Sequence, residues 1–119
     1  MNQDKIKAAA AALRQARATR VAIPRISEQF GIQGADEAYA VARCNTMLDL
    51  AEGRRVVGKK IGLTSQAVQQ QLGVGQPDYG VLFADMEFLS GSEVPASRLI
   101  QPKAEGEIAF VVGRDLDSE

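Results

Sequence analysis

The stretch Arg55-Val56-Val57-Gly58-Lys59-Lys60-Ile61-Gly62-Leu63 marks the point where this chain changes from helix-forming to strand-forming sequence. It is rich in aliphatic and β-branched residues, which favour a strand. Because successive side chains of a strand point to opposite faces, we expect Lys59 and Lys60 on opposite sides of the strand.

Two helices are predicted before that strand. The first spans Gln3–Thr19, because apolar residues recur there at helical spacing: Ile6, Ala9, Ala10, Leu13 and Ala16. The second is expected at residues 35–52, with Gly53 just past its end. Its predicted apolar stripe consists of Ala38, Val41, Ala42, Leu48 and Ala51.

The sequence after the strand indicates short elements. A helix capped by Thr64 or Ser65 should end at Leu72, and a second strand is expected at residues 79–83. Residues 88–94 are predicted to form a turn between strands. Helices followed by strands indicate an α+β fold, with residues 1–119 as a single partial domain divided into a helical region (1–53) and a β-rich region (54–119).

Composition excludes several classes of function. The net charge of −1 and the few aromatic residues argue against nucleic-acid and membrane partners. The chain has no histidine, which rules out Ser-His-Asp and Cys-His catalysis. Its single cysteine, Cys44, cannot form an internal disulfide, which suits the reducing cytoplasm.

Two acidic residues near the end suggest a metal site. Glu105 and Glu107 precede the apolar residues 108–112, which we predict to be a buried strand. On such a strand both carboxylates share one face, with Cα atoms about 7 Å apart. A hard cation such as Mg²⁺ or Mn²⁺ would offset their repulsion, whereas a solvated edge strand is the alternative. Since so apolar a strand needs partners on both sides, the chain is expected to be the amino-terminal portion of something longer.

Three segments carry a resemblance to a known family. They are residues 58–65 (GKKIGLTS), 71–86 (QLGVGQPDYGVLFADM) and 101–110 (QPKAEGEIAF). In order and spacing they closely resemble the 2-keto-4-pentenoate hydratases (2-hydroxypenta-2,4-dienoate hydratases) of the fumarylacetoacetate hydrolase superfamily. The resemblance covers essentially the whole chain but only about the first half of a family member. It implies that a β-rich, mixed-sheet catalytic core begins after the amino-terminal helices.

The resemblance also implies an activity and its residues. Glu105 and Glu107 match the pair of acids that holds Mg²⁺ or Mn²⁺ in the family, and the third acidic ligand would lie beyond Glu119. Lys60 and Asp78 match residues that line the family's active site. The implied reaction adds water to 2-hydroxypenta-2,4-dienoate to give 4-hydroxy-2-oxopentanoate in meta-cleavage aromatic catabolism. Homo-oligomers and association with a pathway aldolase or decarboxylase are also implied.

Other interpretations of these residues stay open at this point. Without the resemblance, Lys60 would be a surface residue and Asp78 a turn residue after proline. Arg54 and Arg55 are expected to be solvated. Two other functions also remain: a 2-oxohex-3-enedioate (4-oxalocrotonate) decarboxylase of the same family, and a non-catalytic fragment or assembly piece.

Overall fold

The computed structural model describes residues 2–117. Its helices are α1 (Gln3–Thr19), α2 (Ile26–Gln29), α3 (Gly34–Ala51) and α4 (Gln66–Leu72), and its strands are β1 (Val56–Gly62) and β2 (Asp78–Phe83). Two 3-10 turns, Ala84–Met86 and Ala96–Arg98, follow β2. This content agrees with the α+β class, and no helix in the described range is long and apolar enough to span a membrane.

Helix α1 has the bounds that its sequence predicts. The Asn2 side chain caps the helix by accepting a hydrogen bond from the backbone N–H of Asp4 at 3.0 Å. Arg20 ends it in the left-handed conformation, with φ of 59°. Most of the predicted apolar stripe is buried, whereas Leu13 is still 36% exposed.

The core lies between α1 and α3. Its buried members are Ile6, Ala9, Ala10, Ile32 and Val41. The two alanines have small side chains, so α3 can pack close to α1. This small core leaves much of the helical surface free for polar contacts.

The predicted apolar stripe of α3 is mostly wrong. Of its five members only Val41 is buried, and Leu48 is 45% exposed. The other fully buried residue on this helix is polar: Asp49, at 2% exposure. Hydropathy alone therefore misplaces the inward face, because Asp49 is buried where the predicted stripe has its neighbour Leu48.

Three arginines surround the Asp49 carboxylate. Arg14 and Arg17 of α1 approach Oδ1 at 3.1 and 2.7 Å, and Arg54 approaches Oδ2 at 2.9 Å. A carboxylate removed from water is costly unless it is paired and hydrogen-bonded. Arg14 and Arg17 supply the hydrogen bonds and Arg54 adds a third positive charge, so this Asp49 cluster joins α1, α3 and the segment just before β1.

Arg54 extends the cluster to the sheet. Its Nη2 and Nε atoms contact the Asp85 carboxylate at 2.6 and 3.0 Å, and its guanidinium lies 4.1 Å from the ring centroid of Phe83. The expectation that Arg54 is solvated is wrong, since its side chain is only 20% exposed. The reason is that Asp85, just after β2, lies against the Arg54 guanidinium and covers part of it.

Strands β1 and β2 form an antiparallel pair. Lys60 lies opposite Gly80 and Gly62 opposite Asp78, with a register shift between Val56 and Gly58. The sheet contacts α3 through an aromatic stack: the Tyr39 and Tyr79 rings have centroids 4.7 Å apart. The backbone N–H of Tyr79 also donates to the Tyr39 hydroxyl at 3.2 Å.

The strand predicted at residues 108–112 is not formed in the described part of the chain. Ile108, Phe110 and Val111 are 86, 88 and 98% exposed. The sheet described here consists of β1 and β2 alone, and an apolar segment becomes a strand only where another strand accepts its backbone hydrogen bonds. The turn expected within residues 88–94 does form, at Gly91, but no strands flank it.

Three carboxylates have lowered pKa values. Burial on its own raises the pKa of Asp49, but the hydrogen bond from Arg17 and the neighbouring arginine charges outweigh it and hold that pKa below its ordinary value. A hydrogen bond from Arg54 lowers the pKa of Asp85. The remaining one is Glu37, whose pKa is lowered by the hydrogen bond from Lys5.

We expect Asp49→Asn to destabilise the fold by about 3 kcal/mol, because it leaves three clustered arginines without their buried counter-charge. The measurement is urea unfolding followed by circular dichroism. Glu28→Gln is the control, since its pair with Arg25 is exposed and 3.8 Å long, and it should change little. Equal stability of the two variants would contradict a structural role for Asp49.

Acid should also destabilise the chain through these carboxylates. Their folded-state pKa values lie below the ordinary 3.8 of Asp and 4.5 of Glu, so the unfolded chain binds protons first as the pH falls. Their stabilising contribution is therefore present above about pH 4.5 and is lost as the pH falls through the folded values. Unfolding measured across this range should be less pH-dependent for Asp49→Asn, and identical profiles would contradict this.

Candidate active site

The structure brings two of the predicted site residues, Lys60 and Asp78, onto one face of the sheet. Lys60 pairs with Gly80, and Asp78 pairs with Gly62, two positions further along each strand. Residues two apart on a strand share a face, so all four lie on the same side. Lys60 and Asp78 are diagonal neighbours, whose Cα atoms are about 7–8 Å apart in such a pair.

Both side chains lie close to the glycine across the sheet. A Cβ atom built on Gly62 would come well inside 3.0 Å of the Asp78 Oδ1 atom. A Cβ atom on Gly80 would lie 3.4 Å from the Cγ atom of Lys60. The two glycines thus leave room for the Lys60 and Asp78 side chains to lie near the backbone.

The opposite face of the sheet carries Lys59 and the Tyr79 side chain that stacks on α3. Lys59 and Lys60 therefore lie on opposite faces of the sheet, as expected. Both lysines are exposed. Only Lys60 shares a face with Asp78, so the pairing distinguishes between two adjacent lysines that composition cannot.

An unusual turn follows β1. Leu63 adopts φ of 54°, a left-handed conformation that costs a non-glycine residue about 1–2 kcal/mol. The Gln69 side-chain amide donates to the Leu63 carbonyl at 2.7 Å and holds this turn. Of the two predicted caps, Ser65 caps α4 by accepting from the Val68 N–H at 3.2 Å. The Leu63–Gln69 contact has no signal in the sequence, because neither residue type favours this geometry.

The predicted metal ligands Glu105 and Glu107 lie in the exposed segment without regular structure. Within residues 2–117, no three Asp, Glu, His or Cys side chains converge as a metal site requires, so Asp78 does not join them. Carboxylate oxygens are suitable donors for Mg²⁺ or Mn²⁺. Such a cation takes about six oxygen ligands, so the two carboxylates provide only part of its coordination shell.

A cavity of about 1270 Å³ lies elsewhere, beside the Asp49 cluster. Its lining includes Arg14, Arg17, Arg54 and Asp85, and none of the four predicted site residues. Arg14, Arg17 and Arg54 are already paired with carboxylates, and Arg20 and Arg98, which also line it, donate to the backbone carbonyls of Ser97 and Asp85. Despite its size, this cavity lacks the chemistry that the Lys60 face presents.

Curated relatives match nearly the whole chain. It is 56% identical over 113 residues to 2-keto-4-pentenoate hydratase 1 of Dechloromonas aromatica (strain RCB), covering 95% of this chain and 43% of that protein. It is 51% identical over 114 residues to the TodF product hydratase of Pseudomonas putida (strain F1), with 96% and 42% covered. The chain thus spans less than half the length of the relatives it matches. No protein-family model matches it.

Solved structures with a similar fold carry a different name. The 4-oxalocrotonate decarboxylase from Pseudomonas putida G7, complexed with calcium and acetate, matches with a TM-score of 0.78 at 30% identity, covering 84% of this chain and 39% of that one. The same enzyme complexed with magnesium and adipate matches with a TM-score of 0.65, also at 30% identity, covering 70% and 32%.

Proposed function

We propose, from the premise that this chain belongs to the 2-keto-4-pentenoate hydratase family, that the protein containing it hydrates 2-hydroxypenta-2,4-dienoate to 4-hydroxy-2-oxopentanoate. The observation that carries this proposal is the identity of 56% over 95% of the chain to a protein of that name. The reaction makes the protein a hydro-lyase. The positions of Lys60 and Asp78 on one face of the sheet support it.

We assign Lys60 to the substrate carboxylate. A lysine side chain ends in a compact ammonium group with three donors, which suits an organic carboxylate. Lys60 is exposed, so a small acid has access to it from solvent. Its diagonal placement relative to Asp78 allows one five-carbon acid to contact both side chains.

We assign Asp78 to the water that adds to the substrate. Its carboxylate accepts hydrogen bonds, and it can therefore orient a water molecule and take up its proton. With Lys60 holding C1, the far end of the substrate points along the face toward Asp78. We therefore propose that the water lies near C4 rather than near the carboxylate.

The proton balance of the reaction requires two carbon protonations. The dienol loses its 2-hydroxyl proton and gains one at C5, which gives 2-oxopent-3-enoate. Water then adds its oxygen to C4 and a proton enters at C3, which gives 4-hydroxy-2-oxopentanoate. Asp78 removes the proton from the attacking water, and a positioned general base such as this contributes about 10²–10⁴-fold to the rate.

We propose Glu105 and Glu107 as ligands of Mg²⁺ or Mn²⁺. Their carboxylates have the right donor chemistry. Within residues 2–117 no third acidic side chain converges on them. The bound cation would stabilise negative charge on the 2-oxygen of the substrate. Calcium and magnesium in the complexes of the similar decarboxylase support a divalent cation here.

The main alternative is decarboxylation of 2-oxohex-3-enedioate. It is favoured by one observation, the fold similarity to 4-oxalocrotonate decarboxylase at 30% identity. The higher identity to hydratases favours hydration. Homo-oligomers, association with a pathway aldolase or decarboxylase and cytoplasmic location remain predictions. A non-catalytic assembly role is the remaining alternative, and it predicts no turnover by the whole protein.

We expect Glu107→Ala to abolish metal-stimulated hydration while the fold is retained, because it removes one of two proposed carboxylate ligands. The measurement is Mn²⁺ binding by calorimetry together with turnover of the whole protein at increasing Mg²⁺. The exposed Glu93 provides the control Glu93→Ala, which should bind and turn over as the parent does. Parent-like activity of Glu107→Ala at saturating Mg²⁺ would remove the ligand role.

The reaction itself is tested by offering both substrates to the whole protein with Mg²⁺. We expect the dienol absorbance of 2-hydroxypenta-2,4-dienoate to disappear as 4-hydroxy-2-oxopentanoate forms, because the chain is more similar to the hydratases. No carbon dioxide should be released from 2-oxohex-3-enedioate. Release of carbon dioxide with no hydration would replace the hydratase proposal with the decarboxylase.

A further inference from the structure

The Asp78 carboxylate occupies space that a side chain on Gly62 would fill. The three atoms nearest to a Cβ atom built on Gly62 all belong to the Asp78 side chain: Oδ1, then Cγ at 3.4 Å and Oδ2 at 3.8 Å. The nearest obstacle to a side chain at position 62 is thus a side-chain carboxylate rather than backbone. The carboxylate of Asp78 therefore lies against the bare backbone of β1.

The backbone conformation does not require a glycine at position 62. Glycines with left-handed φ occur elsewhere, for example Gly73 with φ of 69° at the end of α4, but Gly62 is not among them. The left-handed residue of this turn is the next one, Leu63. The residue that must adopt the left-handed conformation is therefore a leucine. Gly62 contributes free space beside the backbone of β1.

We propose that Gly62 is a positioning residue, whose missing side chain allows the Asp78 carboxylate to lie across β1 on the face that carries Lys60. This inference rests on the proposed function, because it gives Asp78 a carboxylate placement that serves water addition. Gly62 touches neither substrate nor water in this scheme. It acts only through where the Asp78 carboxylate lies.

The substitution Gly62→Ala should displace that carboxylate without unfolding the strand. The new methyl group collides with the far end of a rotatable side chain, so Asp78 turns away while the backbone stays in place. A catalytic group misplaced by about 1 Å costs about 100-fold in rate. We therefore expect a fall of about 100-fold in kcat with little change in KM, because Lys60 keeps its place.

A matched control lies on the same strand and face. Gly58 is four positions earlier, and a Cβ atom there would lie 3.8 Å from the Cδ1 atom of Leu82, which is ordinary van der Waals contact. Gly58→Ala should therefore leave both the Asp78 side chain and turnover unchanged. It reports any general effect of placing alanine on this strand.

The first readout is the carboxyl carbon signal and χ1 rotamer of Asp78, measured by NMR in the whole protein for the parent, Gly62→Ala and Gly58→Ala. The inference predicts a shift for Gly62→Ala alone. An unchanged Asp78 signal in Gly62→Ala would overturn it, whatever the protein catalyses. This readout does not depend on the proposed reaction.

The second readout is turnover of the dienoate by the whole protein. Gly62→Ala should add no further loss to Asp78→Ala, because both act through one carboxylate. Additive losses would overturn the inference. If Gly62→Ala lowers stability, the double variant should regain it, since the colliding carboxylate is gone, and a failure to regain it would also overturn the inference. A parent that hydrates nothing would overturn the proposed function instead, and the Asp78 signal would still decide the contact.

Discussion

The buried carboxylate of Asp49 is the constraint on which the rest of this structure depends. At 2% exposure it must be neutralised, and arginines from α1 and from the start of the sheet do so. Arg54 also pairs with Asp85 and lies over the Phe83 ring, which connects the Asp49 cluster to the end of β2. One end of the sheet is fixed by charge in this way. The Tyr39–Tyr79 stack fixes the other end, where Asp78 begins β2.

Local patterns predicted α1, α3, α4, β1 and β2 but not the short helix α2, and distant charge pairs account for the burial that they missed. The helical spacing of α1 and the β-branched residues of β1 are properties of neighbouring residues, so the sequence alone was sufficient for both. The inward face of α3 depends on Arg14, which is 35 residues from Asp49, and the burial of Arg54 depends on Asp85, 31 residues away. Neither pairing has a periodic signal. The strand expected at residues 108–112 failed for a related reason, since a strand requires a partner.

The candidate site also combines features that the sequence predicts with features that only the structure supplies. Strand alternation predicts that either Lys59 or Lys60 faces a given side, but the choice between them needs the register with Asp78, which only the three-dimensional pairing supplies. The family resemblance chose Lys60 and Asp78, and the register places these two on one face. The roles of Glu105 and Glu107 remain a proposal, because the described residues offer them no third acidic partner.

We propose that a metal held by Glu105 and Glu107 acts beside the face that carries Lys60 and Asp78. The most direct test adds Mn²⁺ to the whole protein and records NMR line broadening, since this paramagnetic ion broadens the signals of nearby nuclei. We expect the amide signals of Gly62 and Gly80 to broaden together with those around Glu107. Broadening confined to the surroundings of Glu107, with sharp Gly62 and Gly80 signals, would contradict a shared active site.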